Sequence, residues 1–445
     1  MQTATLKYES APTEVDLSLP AVSNRSDWVL ILPFIFLAAH GVFSYQTAQA
    51  YVGGQIPGES ERNRGVFIDF VVPGIAYGIM LWHMKSCWRS IVSYATHFKV
   101  FTCLALLAIC SAAWSQDPWR SFFFGSSYLL CTMFAYYLVI RFEPDELMSL
   151  VSRTGVIACL LGLFAVAFFP QYGILNTDVR DVGSWRGIFI DRTSAAKVLV
   201  FLLSPTLIAW GSRSKRRQIL TILLFLLMII KAKAVTAIFV LFIILAFLIF
   251  LRVGRKLGPR LSLAFLVSVA TGTGLVALFA YEYLPDILRS FGRDPTMTGR
   301  TVIWPVLVES ILKHPLLGYG FYAFWQRLEG ESGIVIKATG WSFGYAHNGF
   351  LEIALQLGLL GLVLFFVTLI QAVRNAWYCF RYEQSGNNDW YILLIVVTIA
   401  YNMDEGSVLF PNDLLSILYI VACVGLALAA KELKARSHFN GGVRI

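Results

Sequence analysis

From Trp28 almost to the C-terminus, long apolar stretches alternate with short polar breaks. A helix needs about 20 residues to cross about 30 Å of hydrocarbon. On that measure about twelve spans are predicted, near 28–46, 66–84, 100–114, 121–140, 154–169, 197–211, 218–232, 234–251, 261–281, 348–373, 390–406 and 413–430. The seventh and eighth form one apolar run broken only by Lys231-Ala232-Lys233. This reads as a tight hairpin whose ammonium groups reach the interface on apolar stems. Between the ninth and tenth spans lies a large polar insertion, 282–346. Within it Arg300, Trp304, Leu307, Val308 and Ile311 recur at three and four residues, predicting an amphipathic surface helix. Thr298 is its N-cap candidate, Pro305 sits in its first turns and His314-Pro315 ends it; from Gly320 to Tyr345 the insertion reads as loop.

The chain is therefore expected to be an all-α integral membrane protein with one polytopic domain, 28–430, between tails at 1–27 and 431–445. Residues 1–27 are polar and lack a short apolar core with a cleavage site, so they read as a cytoplasmic tail. Placing both termini inside gives the cytoplasmic side Arg213, Lys215, Arg216 and Arg217, then Arg252, Arg255, Lys256 and Arg260, and finally Lys431, Lys434 and Arg436. The insertion 282–346 then faces outward.

Composition agrees: 57% of the 445 residues are hydrophobic and 14% charged, which excludes an ordinary soluble domain. The net charge of +9 is partly the inside-positive signal, and no aromatic-interleaved basic domain points to nucleic acid. The cysteines fall within spans or on the inner side, so no disulfide framework is expected. They show no metal-binding spacing with histidine.

Outer-face cations are the unusual ones. Arg180, Arg186, Arg192 and Lys197 crowd one outer turn, and Arg289, Arg293, Arg300, Lys313, Arg327 and Lys337 fall in the insertion. Arginine matches a phosphate with a planar fork of donors, so a diphosphate-linked lipid in the outer leaflet fits this depth. Pairing with Asp178, Asp181, Asp191, Glu282, Asp286, Asp294, Glu329 or Glu331 is the simpler reading for any single arginine. Arg186 and Arg300, beside aromatic and glycine-rich sequence, are the ligand candidates. His347, at a predicted helix start, is either an interfacial residue or a general base for a sugar hydroxyl. Asn348 either orients substrate or caps that helix. His314 reads as a helix-end residue, and Asp117-Pro118 as a turn signature. Asn402, Asp404 and Glu405 are costly in hydrocarbon, or else mark the end of the eleventh span.

Several of these residues form a set. Trp114 to Pro118, Trp185-Arg186-Gly187-Ile188-Phe189, Thr298-Gly299-Arg300 with Trp304, His314-Pro315-Leu316-Leu317-Gly318-Tyr319-Gly320-Phe321, and Ala346-His347-Asn348-Gly349-Phe350-Leu351-Glu352 with Gly358 and Gly361 resemble, in order, the O-antigen ligase and polymerase superfamily, especially its ExoQ-like (Wzy-type) exopolysaccharide polymerases. The resemblance implies a GT-C-like, metal-independent glycosyltransferase of the bacterial inner membrane with its active site facing the periplasm and no cofactor. Arg186 and Arg300 match the arginines that hold the donor diphosphate, and His347 the histidine that activates the acceptor. Trp185, Trp304, Tyr319 and Asn348 are expected substrate contacts.

Two departures, Asp191-Arg192-Thr193 for a His-Lys-Asn-like stretch and Lys231 to Thr236 for a serine-rich one, shift expected donor contacts toward Arg192 and Lys233. The expected activity is polymerisation of undecaprenyl-diphosphate-linked oligosaccharide repeats into an exopolysaccharide. Its expected partners are that lipid-linked donor, the growing polysaccharide, membrane lipid, a chain-length regulator and export proteins. The rivals are a ligase transferring a finished glycan to lipid A core or protein, and a flippase or transporter without chemistry. The last would carry broken, charged helices at the bilayer midplane, whereas here the polar residues gather at the outer rim.

Overall fold

The computed structural model describes residues 27–39, 59–176, 182–209, 214–258, 260–264, 267–268, 271, 300–326, 330–339, 344–383, 385–403, 405–406 and 408–439, with the backbone alone at 27, 59–70, 300–301 and 437–439. The first 26 residues, most of the predicted ninth span, Thr298 and Asp404 lie outside them.

The described chain is almost entirely helical. Its first part holds α1 (Ile31–Ala38), α2 (Glu59–Lys85), α3 (Trp88–His97), α4 (Lys99–Cys110), α5 (Pro118–Arg141) and α6 (Pro144–Phe168). A two-residue antiparallel ladder, β1 (Ile174–Leu175) with β2 (Ser184–Trp185), leads to α7 (Arg192–Ile208), α8 (Lys215–Lys231) and α9 (Val235–Gly254). Then follow α10 (Arg300–Lys313), α11 (Gly330–Thr339), α12 (Gly349–Tyr382), α13 (Asp389–Asn402) and α14 (Leu414–Phe439).

By length and apolarity α5, α6, α9, α12 and α14 can each cross a membrane, and a sixth crossing arises if α3 and the following segment, bent by 95°, count as one. Helices α7, α8 and α13 coincide with predicted spans but have only 17, 17 and 14 residues. At 1.5 Å per residue they reach about 25 Å or less.

The pattern of burial is that of a bundle in an apolar solvent. On α9, Ala237, Val240 and Ile244 are buried, while Phe239, Phe242, Leu245 and Ile249 form an exposed apolar ridge. Helix α14 is the most enclosed of the long helices and packs against α5, α12 and α13. Lipid gives helices no hydrophobic reason to associate, so close packing and interhelical hydrogen bonds hold them. Trp390 donates to Ser204 at 3.0 Å, and Thr368 meets the Tyr419 hydroxyl at 2.8 Å.

Basic residues cluster at one end of the bundle. At one end the start of α8 carries Lys215, Arg216 and Arg217, the end of α9 carries Arg252 and Arg255, and α14 ends with Lys431, Lys434 and Arg436. Contacts tie these termini together. Gln218 donates to the Ala209 carbonyl at 2.6 Å, Arg255 pairs with Asp389 at 2.6 Å, and Lys434 lies over the Tyr378 ring at 4.9 Å. At the other end lie the starts of α7 and α12, the α8–α9 turn and the end of α13. The predicted hairpin at Lys231-Ala232-Lys233 is that turn, with Lys233 in the left-handed region at φ 54°.

Helix α12 is broken. Gly358 has φ 61° and ψ −158°, a conformation open in practice only to glycine. A break strands backbone groups, and in an apolar environment each must find a partner. The segment Pro315 to Gly320 supplies all four. Tyr319 and Gly320 donate backbone N–H to the Leu355 and Gln356 carbonyls at 2.8 and 3.0 Å, and Leu359 and Leu360 donate to the Pro315 and Leu316 carbonyls at 2.8 and 3.2 Å.

Helix α10 ends at Lys313, as the His314-Pro315 signal predicts. The stretch read as loop contains α11, however. Its Ile334-Val335-Ile336 run of β-branched residues and flanking glycines conceal a helix that packing sustains. Glu331 pairs with Lys313 and accepts from Ser310 at 3.3 Å, while Val335 is buried with Ile303 and Leu307 of α10.

Gly358→Ala adds a Cβ about 2.4 Å from the Leu316 carbonyl carbon in a disfavoured backbone conformation. We expect a loss of about 1–3 kcal/mol or more, read as a lowered thermal midpoint by circular dichroism in detergent; an unchanged midpoint would contradict the hydrogen-bond exchange at the break.

Candidate functional site

His347 stands one residue before the cap of α12, with φ 51°. A non-glycine residue holds that conformation only when its surroundings fix it. The backbone on its N-terminal side is clamped on both groups. Ala346 donates its N–H to the Glu352 carboxylate at 2.8 Å, and its carbonyl accepts from Trp304 Nε1 at 3.0 Å. Glu352, buried in the first turns of α12, also accepts from Trp325 Nε1 at 3.1 Å and from Gln356 at 2.7 Å, so both oxygens of this carboxyl are engaged. On the other side Asn348 Oδ1 accepts from the N–H groups of Phe350 and Leu351 at 3.0 and 3.1 Å. Of its two readings the cap is the one seen, and its amide also reaches the Met403 carbonyl at 3.2 Å. Gly349 is required here, since a Cβ would lie 1.9 Å from Asn402 Oδ1 where α12 meets the end of α13.

The imidazole faces Glu405. His347 Nδ1 lies 3.4 Å from Glu405 Oε1, and the Tyr345 hydroxyl donates to Oε2 at 2.6 Å. The Tyr345 and His347 rings pack with centroids 4.0 Å apart. The imidazole is 24% exposed and the carboxylate 4%, so the reachable group is the histidine and the fixed charge lies behind it. Burial by itself would push the Glu405 carboxyl up. The hydrogen bond and charge of His347, the Lys197 ammonium and the Tyr345 bond outweigh it and hold the carboxyl below its ordinary range.

The cationic cluster is assembled from the loop before α7 and the α8–α9 turn. Arg186 is largely buried, donating through Nε to the Tyr172 carbonyl at 2.5 Å and through Nη1 to the Ile190 carbonyl at 3.2 Å. Burial lowers its pKa from the usual range, opposed by the Asp191 carboxylate. Arg192 donates to the Lys233 carbonyl at 2.8 Å, Lys233 to the Val182 carbonyl at 2.9 Å, and Lys231 lies 5.5 Å over the Trp185 ring. Thus Arg192 and Lys233 meet at the α8–α9 turn, and Trp185 and the buried Arg186 lie on the segment that packs against it.

Helix α7 connects the two halves. Arg192 opens it, and Lys197, about 7.5 Å further along the axis, donates to the Gly406 carbonyl at 2.7 Å, next to Glu405. Arg300 begins α10, whose Trp304 clamps Ala346, while its own side chain lies outside the described residues. Tyr319 belongs to the frame: its ring is buried and its hydroxyl, pushed up to about 12 by burial and the nearby Glu331, donates to the Ser310 carbonyl at 2.8 Å. Trp304 likewise spends its indole N–H on the frame. Glu405, Tyr345 and Glu352 are the site residues that sequence reading did not assign. The cost of a carboxylate at the end of an apolar span was the available signal for Glu405. Among the described residues no group of three or more His, Cys, Asp or Glu side chains is arranged to hold a metal ion.

Residues 198–366 match the family model described as O-antigen ligase. Over 120 residues, 25% of this chain, the sequence is 36% identical to the exopolysaccharide production protein ExoQ of Rhizobium meliloti (strain 1021), covering 27% of that protein. A candidate polysaccharide ligase of Rickettsia prowazekii (strain Madrid E) is 32% identical over 105 residues, 22% of this chain and 26% of that one. Another from Rickettsia felis (strain ATCC VR-1525 / URRWXCal2) is 29% identical over 119 residues, 25% of this chain and 29% of that one. The chain spans about a quarter of the length of the curated relatives it matches.

A carboxylate held below its ordinary value of 4.5 contributes stability above that pH and loses it as the pH falls through the lowered value. Glu405→Gln is therefore expected to melt below the wild type at about pH 6, with the gap narrowing below about pH 4.5; a gap of constant size in thermal scans across this range would refute the ion-pair geometry.

Proposed function

We propose that the chain, whose residues 198–366 match the O-antigen ligase model, joins undecaprenyl-diphosphate-linked oligosaccharide repeats into an exopolysaccharide at the periplasmic face of the bacterial inner membrane. The observation that carries this reading is the partly exposed His347 backed by the buried Glu405, at the same bundle end as Arg186 and Arg192. The opposite end gathers the basic clusters that short cytoplasmic loops retain, which supports a periplasmic orientation for His347.

In the proposed reaction the acceptor hydroxyl gives its proton to His347 Nε2, and its oxygen attacks the anomeric carbon of the donor. The bond from that carbon to the diphosphate breaks, and the lipid diphosphate leaves with the electron pair. Glu405, facing Nδ1, orients the imidazole and stabilises its cation once the proton has moved. The guanidinium groups of Arg186 and Arg300, with Arg192 and Lys233, offset the charge growing on the leaving diphosphate. Trp185 and the Lys231 stem give this cationic surface an apolar flank suited to an isoprenoid chain. Catalysis by these groups alone needs no divalent cation.

A second reading, transfer of a finished glycan to lipid A core or protein, draws on the ligase names of the Rickettsia relatives. Donor chemistry is common to both readings, and only the acceptor differs.

Reconstituted protein given a lipid-linked repeat is expected to produce a ladder of lengthening glycans on a gel, unaffected by chelator. His347→Ala is expected to lower the rate about 10² to 10⁴-fold, and Arg186→Gln about 10² to 10³-fold. Strict dependence on added metal would sink the mechanism. Unlengthened repeats, with transfer of preformed polymer to an added acceptor, would select the ligase.

A further inference from the structure

A cavity of about 710 Å³ opens at the bundle end opposite His347, between α1, α6, α7 and α8. Among the described residues its lining carries Arg153 and Arg217 and no carboxylate. Both arginines are exposed, and neither pairs with a carboxylate among the described residues. The floor is polar and built: Ser152 and Thr206 are buried and bonded to each other at 3.0 Å, and buried Gln218 is fixed on the Ala209 carbonyl. Ile31 and Val156 supply an apolar wall facing the same space. The start of α8, with Ser214 on the rim, turns the positive end of a 17-residue helix toward the opening.

We infer that this cavity is a binding site for the phosphate headgroup of an anionic phospholipid, whose acyl chains run along the Ile31 and Val156 wall. Two unpaired guanidinium groups at headgroup depth match a phosphodiester in charge and donor geometry. Three polar side chains below them match the glycerol oxygens, and the apolar wall selects a lipid over a soluble anion. The site is separate from the His347 end and does not rest on the reaction proposed there.

The test uses the full chain in non-ionic detergent, with native mass spectrometry counting bound dioleoylphosphatidylglycerol, dioleoylphosphatidylcholine or inorganic phosphate. Wild type is expected to retain phosphatidylglycerol in preference to phosphatidylcholine, and R153Q/R217Q to bind it on the order of tenfold more weakly. Ser149→Trp, which fills the cavity while sparing both arginines, is expected to weaken it likewise, and R153K/R217K to restore part of the binding. Equal retention of the two lipids, or phosphatidylglycerol binding unchanged in both R153Q/R217Q and Ser149→Trp, overturns the site. Displacement of phosphatidylglycerol by equimolar inorganic phosphate overturns the lipid assignment in favour of a soluble anion.

Discussion

The exchange of backbone hydrogen bonds across the break in α12 is the constraint on which the rest of this architecture depends. A helix interrupted at Gly358 would leave carbonyls and N–H groups stranded in a medium without water. The His314 to Gly320 segment answers each of them with a backbone group of its own. The segment is thereby fastened to a membrane-crossing helix past its first turns, between Leu355 and Leu360. Tyr319, held by the same segment, locks onto the end of α10, and α10 in turn presents Trp304 to Ala346. The position of His347 is set through this series of contacts, each link of which is a hydrogen bond to a main-chain atom.

Electrostatics adds the second layer. Glu352 and Glu405 are both buried carboxylates within a few residues of the same loop or facing it, but they are satisfied differently. Glu352 is surrounded by neutral donors and stiffens the frame. Glu405 has an imidazole and a phenol as partners and a lysine nearby, so its charge is coupled to a side chain that reaches solvent. Across α7 the arginines are anchored by donating to carbonyls, and the Asp191 carboxylate acts on the Arg186 charge. A low-dielectric rim strengthens such a field well beyond its value in water.

Much of this was legible in the chain itself. Apolar runs announced the helices because lipid-facing and buried positions are both hydrophobic, and the Lys231 to Lys233 interruption announced a turn because lysine is tolerated only at the interface. His314-Pro315 correctly ended α10. What stayed hidden depends on contacts between distant segments. Glu405 is 58 residues from His347, and nothing local distinguishes a carboxylate that ends a span from one that serves a histidine. Helix α11 violates its own propensities and exists by packing on α10. Tyr319 and Trp304, expected as substrate contacts, commit their polar atoms to the frame.

Since the seam between the 314–320 segment and α12 is written in main-chain atoms, it fixes its glycines and Tyr319 but not every side chain along it. Leu316 and Leu317 are exposed there, and their replacement leaves every carbonyl and amide of the seam in position. A change of side chain at these two positions thus alters the outer surface of the seam while the mount for the histidine stays as it is.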